Sequence, residues 1–120
     1  MLLAFFFHIV HLMNKKLNSE ESQLKILRKI DSSENFTQRK LANELGYSLG
    51  KLNYCLNELK KKGLIKFHNF QKNKNKLNYM YILTPKGVSQ KTRLLVAFMK
   101  RKMTEYDEFK KELEKINNSN

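Results

Sequence analysis

Apolar residues recur at helical spacing in the first part of the chain, after a polar start. Ser19 is followed by Glu20 and Glu21, a serine and two acids of the kind that cap a helix and complement its positive end. The apolar positions that follow are Leu24, Leu27 and Ile30, with Ile26 beside them. The pattern predicts a helix from Ser19 to the polar cluster at residues 31–35.

A second, shorter helix is predicted to begin at Thr37. Phe36 precedes this cap and Leu41 lies four positions into the helix, which is the spacing of a hydrophobic staple. One side of the helix is apolar and consists of Leu41, Ala42 and Leu45. Gly46 follows, and a glycine there permits the left-handed turn with which many helices end.

A third helix is predicted to begin at Ser48, where Tyr47 and Leu52 repeat the staple spacing. Its apolar stripe consists of Leu52, Leu56 and Leu59. Three lysines at residues 60–62 and then Gly63 form its end. Cations complement the negative end of a helix dipole and glycine closes the last turn, so the helix is expected to stop there.

The pattern then changes from helical to extended. The segments Leu64–Phe70 and Leu77–Leu83 are rich in aromatic and β-branched residues, as strands are. Between them lies a polar loop at residues 71–76 with a lysine at every second position. We therefore expect a β-hairpin with a basic tip.

One long helix completes the pattern. Thr84 is expected to cap it and Pro85 to occupy its first turn, where the missing N–H costs nothing. The helix is predicted to run to about Ile116, and positions three and four apart form a heptad seam with one polar member, Lys102. The seam is Thr92, Leu95, Met99, Lys102, Tyr106, Phe109, Leu113 and Ile116.

This order of elements predicts a mainly α fold with a small β-hairpin, namely a winged helix-turn-helix with a long C-terminal dimerisation helix. We expect four parts: an apolar extension (1–18), the winged helix-turn-helix domain (19–84), a coiled-coil-like dimerisation helix (85–116) and a disordered tail (117–120). The specific part is the run from Thr37 to Lys66, whose apolar positions bury the crossing of two helices and leave one face of the third helix free.

Residues 1–13 are apolar apart from His8 and His11. A helix needs about 20 residues to span a bilayer, and the segment has neither a basic leading region nor a small-residue cleavage site. Three interpretations stay open: a helix that packs on the domain or on a partner chain, a weak membrane anchor, or a translation start placed upstream of the native one at Met13. We favour docking or the start-site artefact and expect no membrane partner.

The chain has 24 Lys and Arg against 11 Asp and Glu, a net charge of +13. No acid lies between Leu59 and Thr104, whereas lysines and arginines are frequent there. A field of this kind attracts a polyanion such as nucleic acid or an acidic membrane surface.

The exposed face of the third helix supplies the candidate contacts with DNA. Its glycine allows close approach to a major groove, its asparagines match the donor and acceptor of adenine, its tyrosine suits a phosphate or a thymine methyl group, and its lysines suit phosphates. These candidates are Ser48, Gly50, Lys51, Asn53, Tyr54, Asn57 and Lys61. Asn53, Tyr54 and Asn57 could instead be surface residues without function, and lysines at a helix end are more often solvated than in contact with DNA. The conjunction of motif, acid-free stretch and basic wing favours DNA.

Two further sets are expected to bind the DNA backbone. At the start of the second helix, backbone N–H groups are expected to bind a phosphate. This set is Thr37, Gln38 and Arg39. The hairpin tip is expected to act as a wing against the backbone or minor groove, through Lys72, Lys74 and Lys76.

Enzyme chemistry finds little support in the sequence. It has no glycine-rich phosphate loop, and His8, His11 and His68 lack metal-ligand spacing, so we expect no catalytic residue, metal or cofactor. The single cysteine, Cys55, lies beside the leucine stripe of the third helix, where a small core residue is a better interpretation than a redox sensor. One cysteine also favours a reducing, cytoplasmic (nucleoid-associated) setting.

From Ser22 to Glu112 the sequence resembles the MarR-type regulators of the EPS-associated (exopolysaccharide-associated) group. The runs SLGKLNYCL, YILTPKG and KRKM carry the resemblance. It implies a bacterial transcription regulator that acts on exopolysaccharide or surface-polysaccharide biosynthesis genes. Larger relatives dimerise through both chain ends and often hold a small ligand near that interface; here the N-terminal part is short, and whether an effector exists is open.

The sequence thus predicts a homodimer that binds double-stranded DNA sequence-specifically and regulates transcription. The alternative is a winged-helix adaptor for protein interaction, associated with a membrane through residues 1–13. DNA binding that falls steeply with salt would favour the first, and flotation with lipid would favour the second.

Overall fold

The computed structural model describes residues 2–32, 35–68 and 77–119. In chain order the elements are α1 (Leu2–Asp31), α2 (Gln38–Leu45), α3 (Leu49–Lys61), β1 (Ile65–Phe67), α4 (Leu77–Met80), β2 (Tyr81–Leu83) and α5 (Pro85–Asn118). β1 and β2 form a two-stranded antiparallel sheet. The predicted fold class, mainly helical with a small hairpin and a long C-terminal helix, is confirmed.

The predicted helix start at Ser19 is wrong, because α1 runs without interruption from Leu2 to Asp31. No proline or glycine lies in this stretch, and Ser19 therefore falls inside a helix that has already begun. The predicted end is correct, and there the Ser32 hydroxyl donates to the Lys29 carbonyl at 2.7 Å. Residues Leu2–Met13, hereafter the N-terminal arm, are the helical continuation of α1 away from the core.

The caps of α2 and α3 lie where the sequence predicts them. Thr37 and Ser48 are extended, and their hydroxyl oxygens accept from the backbone N–H three residues on, at 3.0 Å in each case. Gly46 and Gly63 close the two helices with φ of 71° and 73°. A side chain rarely adopts such angles, so glycine fits both turns.

The core lies where α1, α2, α3 and the start of β1 meet. It takes in the apolar stripes of the three predicted helices, and Phe36 is buried against it together with its staple partner Leu41. Its members are Ile26, Leu27, Ile30, Phe36, Leu41, Ala42, Leu52, Leu56, Leu59, Leu64, Ile65 and Leu77.

The hairpin is shorter than predicted. The second strand begins at Tyr81 rather than Leu77, because residues 77–80 form the single helical turn α4. Leu77 is buried in the core and its N–H donates to the Phe36 carbonyl, which draws this segment toward the α1–α2 connection and away from strand pairing. Residue pairing runs from Ile65 opposite Leu83 to Phe67 opposite Tyr81. The first strand's predicted end at Phe70 lies outside the described residues.

α5 begins as predicted, with Thr84 as cap and Pro85 in the first turn, and it continues to Asn118. Thr84 accepts from the Gly87 N–H at 3.0 Å and donates its own hydroxyl proton to the Gly63 carbonyl. The first half of α5 lies antiparallel to α1, since Lys91 pairs with Asp31 and Arg101 lies 3.9 Å from Glu20.

Candidate nucleic-acid interface

The exposed face of α3 forms the centre of the candidate site. On its other face Leu52, Leu56 and Leu59 are at most 2% exposed, which fixes the rotation of the helix against the core. All seven residues predicted for the DNA-facing side are exposed, and Tyr54 keeps 66% of its surface. Gly50, Tyr54, Asn57 and Lys61 lie opposite the leucines, Lys51 and Asn53 flank them, and Ser48 caps the helix. These seven exposed residues are hereafter called the α3 face.

The start of α3 is tied to α1 by an interaction that sequence reasoning missed. The Tyr47 hydroxyl is hydrogen-bonded to the Ser22 hydroxyl on α1, and the Lys51 ammonium lies 3.9 Å from the centre of the Tyr47 ring. A cation over an aromatic ring is attracted by its negative face. Tyr47 therefore orients Lys51 and fixes the first turn of α3, whereas the sequence indicated only an apolar staple for it.

At the far end of the α3 face the charge is partly balanced. Lys61 lies 3.5 Å from the Glu58 carboxylate, although its side chain is 76% exposed. An exposed pair of this kind contributes little to stability, so the lysine is free to exchange this partner for a phosphate. Lys60 and Lys62 are also exposed beside it.

The predicted phosphate site at the start of α2 is exposed at Thr37 and Arg39 and half-buried at Gln38. The Thr37 hydroxyl is already engaged as the helix cap, accepting from the Lys40 N–H. What this turn offers an anion is therefore the positive end of the helix and the Arg39 guanidinium, rather than the threonine side chain.

The predicted wing lysines, Lys72, Lys74 and Lys76, lie outside the described residues. The stem below them is described, and Lys66 and His68 are exposed on it. At its outer end Phe67 and Tyr81 pack edge to face, with ring centroids 6.0 Å apart. This aromatic pair joins the two strands at the base of the tip.

Part of the acid-free basic stretch has a partner within the molecule. Lys91 pairs with Asp31, and Arg101 lies near Glu20 while also stacking over the Phe98 ring at 4.1 Å. These two cations therefore pair across the contact between α5 and α1. The sequence could not separate them from the cations at the end of α3, because their acidic partners are about 60 or more residues away in the chain.

Cys55 is half-buried and packs against the core, as predicted for a small core residue. Burial raises the pKa of its thiol above the ordinary value, and the nearby Lys51 charge offsets part of that rise. A neutral thiol is a poor nucleophile, which favours the structural interpretation over redox sensing.

A cavity of about 570 Å³ lies between α1 and α3. Its floor includes Ile26 and Leu59, and Lys15, Lys51 and Lys62 lie on its rim.

Within residues 2–32, 35–68 and 77–119, no group of three or more His, Cys, Asp or Glu is placed to hold a metal ion. In the same part of the chain, no helix combines the length and the apolar character needed to cross a bilayer.

Comparison with known proteins bears on this geometry. Residues 19–66 match the family described as winged helix-turn-helix DNA-binding. The search of curated proteins found no match. Among solved structures, Staphylococcus aureus MarR in complex with salicylate and kanamycin is 20% identical, with 88% of this chain and 75% of that chain covered and a TM-score of 0.57.

Two further structures are similar over most of their length. A mutant of S. aureus MepR bound to an oligodeoxyribonucleotide is 21% identical, with 99% of this chain and 97% of that chain covered and a TM-score of 0.57. A mutant of Lactococcus lactis ZitR in apo form is 19% identical, with 91% and 77% covered and a TM-score of 0.58. Residues 19–66 therefore match a winged helix-turn-helix DNA-binding family, within a chain that has the fold of these solved structures.

Proposed function

We propose that the chain is a MarR-type transcriptional regulator that binds double-stranded DNA sequence-specifically as a homodimer. The observation that carries the proposal is the α3 face, on which six polar residues and Gly50 are exposed while the leucines behind them are buried. A recognition helix needs this division, because its rotation must be fixed by packing while its other side enters a major groove.

The chemistry of the α3 face suits base reading as well as phosphate binding. Asn53 and Asn57 are four residues apart and hence on one side of the helix, where each amide can bond an adenine edge. Lys51 is held over Tyr47 near the start of the helix, and Lys60 and Lys61 lie near its end. Cations at both ends suit the phosphates that flank a groove.

Two copies would place two α3 faces on one duplex. Half-sites about 10 base pairs apart, or a multiple of that, follow from two-fold symmetry. The exposed heptad seam of α5 is the proposed dimer contact. Its apolar members, Leu95, Met99, Tyr106, Phe109, Leu113 and Ile116, are between 38% and 65% exposed in the single chain.

The process is proposed from sequence resemblance alone. The runs SLGKLNYCL and YILTPKG are similar to EPS-associated regulators, which suggests exopolysaccharide or surface-polysaccharide biosynthesis genes as targets and a cytoplasmic, nucleoid-associated protein. Transcript levels of those genes in cells with and without the protein test this part. Unchanged levels would remove the polysaccharide assignment without affecting DNA binding.

Selection of bound sequences from random duplex DNA, followed by binding measurements on the selected site, tests the main proposal. We expect an inverted repeat to be enriched. The affinity of the protein for it should fall steeply with salt, because lysines that pair with phosphates displace the counterions condensed on the DNA. Recovery of no common sequence would contradict it.

A matched pair of variants tests whether α3 recognises the base sequence. Asn53→Ala with Asn57→Ala removes two amides from the α3 face and is expected to reduce the preference for the selected site over random DNA by about tenfold or more. Asn117→Ala with Asn118→Ala removes two exposed amides at the opposite end of α5 and is expected to change nothing. Equal loss in both would contradict the assignment.

A second candidate function is an interaction adaptor. The observation in its favour is the N-terminal arm, on which Leu2, Leu3 and three consecutive phenylalanines are 60% or more exposed. Flotation with lipid vesicles, or stable capture on a membrane fraction, that is lost when residues 2–13 are removed would support it. If removal of residues 2–13 does not change how much protein floats with the vesicles, the adaptor function is contradicted and only the DNA-binding role remains.

A further inference from the structure

α5 carries two different stripes. The first faces the protein's own domain and consists of buried or half-buried positions, of which residues 87, 94, 97 and 98 are glycine or apolar and residues 90, 91 and 101 are polar or charged. At about 100° per residue these positions occupy one narrow face of the helix. The stripe ends at Arg101, where the guanidinium lies 3.9 Å from Glu20 of α1.

Beyond Arg101 the domain-facing side of α5 becomes acidic. Continuing the same count places Glu105, Glu108 and Glu112 on it, and all three are exposed. The apolar residues instead occupy a face about a quarter of the helix circumference away, where they form the heptad seam. Every residue from Lys102 to Ser119 is exposed, so no described part of the chain covers this second stripe.

We infer that the α5 seam pairs with the α5 seam of a second copy in parallel orientation, as a short two-stranded coiled coil. The inference rests on the homodimer proposed above and adds the direction of pairing. The seam from Leu95 to Ile116 is about 33 Å long, enough for three heptads. Met99, Tyr106 and Leu113 occupy one core position of the heptad, and Leu95, Lys102, Phe109 and Ile116 occupy the other.

The flanking charges decide the direction. In a parallel pair, the residue just before one core position faces the residue five places further along the other helix. Glu105 then faces Lys110 of the second copy, and because the dimer is two-fold symmetric this attractive pair forms twice. In an antiparallel pair the same flank faces itself, which would bring Glu105 and Glu112 of one copy against those of the other. Between these flanking residues, parallel pairing is attractive and antiparallel pairing is repulsive.

The polar core residue fits the same arrangement. The Lys102 ammonium lies 3.5 Å from Glu105 of its own helix and its side chain is 76% exposed. In an in-register parallel coil the two Lys102 side chains meet in one core layer and keep their charges at the edge of the seam. A single polar core residue of this kind specifies one alignment at a cost in stability. Here the Glu105 carboxylate, which balances the charge of Lys102, lies beside the same layer of the coiled-coil core.

The fold gives parallel pairing a functional consequence. The end of α3 rests on the start of α5, because Lys86 donates to the Lys62 carbonyl at 3.0 Å and the Thr84 N–H donates to the Leu64 carbonyl at 3.0 Å. In a parallel coil both DNA-binding domains therefore lie at the same end, where two α3 faces can reach one duplex. An antiparallel coil would place them at opposite ends.

Disulfide trapping tests the direction on the full chain. In a Cys55→Ala background, Leu113→Cys is expected to give an oxidised dimer in high yield, because like residues meet in a parallel coil at disulfide distance. A mixture of Met99→Cys and Ile116→Cys chains is the matched control, since only antiparallel pairing brings these two ends together. A mixed disulfide in the control, with none at residue 113, would overturn the inference.

Charge reversal gives an independent readout by sedimentation equilibrium at low salt. Glu105→Lys is expected to raise the dimer dissociation constant about tenfold, since two attractive pairs become repulsive, and the added Lys110→Glu is expected to restore it. Antiparallel pairing predicts the reverse, a tighter dimer from Glu105→Lys alone. A wild-type chain that stays monomeric would also overturn the inference.

The outcomes separate this inference from the proposed function. A dimer with antiparallel cross-links and intact sequence-specific DNA binding would remove only the parallel seam. If the selection experiment shows no sequence preference while residue 113 cross-links, the proposed regulator function is contradicted and the parallel seam is still supported.

Discussion

A Cβ atom added to Gly87 would lie 1.9 Å from the carbonyl oxygen of Leu64, so the first turn of α5 rests directly on the backbone where β1 begins. The Leu64 oxygen cannot move away easily, because it accepts the Thr84 N–H at 3.0 Å. This contact joins the long helix to the winged helix-turn-helix domain.

Gly87→Ala is therefore expected to lower the free energy of unfolding by about 1–3 kcal/mol, as overpacking against immobile atoms does. Urea denaturation measures the change. Gly50→Ala is the matched control, since its Cβ would meet only the Ser48 hydroxyl oxygen at 3.9 Å. There we expect a gain of roughly 0.5–1 kcal/mol from helix propensity. Equal effects of the two substitutions would contradict the close approach at Gly87.

Ser48 combines a structural role with a place on the α3 face, and two substitutions separate these roles. Ser48→Ala removes the cap on the Lys51 N–H and is expected to cost about 1 kcal/mol of stability. Ser48→Asp keeps an acceptor at the cap but adds a negative charge where DNA would lie. We expect its melting temperature to stay near that of the wild type while DNA affinity falls by tenfold or more. A Ser48→Asp protein that binds DNA normally would place the duplex elsewhere.

Truncation after Lys102 is expected to give a folded monomer. The removed residues are exposed along their whole described length, and the contacts of Lys91 and Arg101 with α1 remain. The circular dichroism melting curve should stay cooperative, and sedimentation should show the loss of the dimer. If the truncated chain still sediments as a dimer, the association surface is not the seam.

Cys55 is expected to react slowly with iodoacetamide at pH 8. Its raised pKa keeps the thiol neutral in the folded protein, whereas the thiol of the unfolded chain ionises near its usual value of about 8.5. Ionisation therefore favours the unfolded state, and the contribution of Cys55 to stability falls as pH rises through that value. The rate of labelling in guanidinium, where the chain is unfolded and the thiol is accessible, is the reference for comparison. Peroxide treatment should leave DNA affinity unchanged; a large loss would revive the redox-sensor interpretation.

How well each feature could be predicted depended on the distance over which its cause acts. The caps at Thr37, Ser48 and Thr84 and the left-handed turn at Gly46 were all predicted correctly. Each depends on contacts within about four residues. The seven positions of the α3 face were likewise found exposed, because the Leu52–Leu59 stripe opposite them fixes the rotation of the helix.

What needed the tertiary structure was set by contacts between distant residues. The helical turn at Leu77–Met80 replaces a predicted strand because Leu77 is buried beside Phe36, about 40 residues earlier. The roles of Lys91 and Arg101 were hidden in a basic stretch until α1 brought Asp31 and Glu20 to them.

The sequence by itself determined α2, α3 and α5, their N-terminal caps and the exposed α3 face, since short-range hydrogen bonding and the 3.6-residue repeat fix these locally. Only the tertiary structure decided which cations pair with acids of α1 and that α1 continues into an exposed apolar arm. It also showed that the α5 seam is uncovered beyond Arg101. The physical reason is that burial and ion pairing depend on which distant segments pack together, and a local pattern does not specify that.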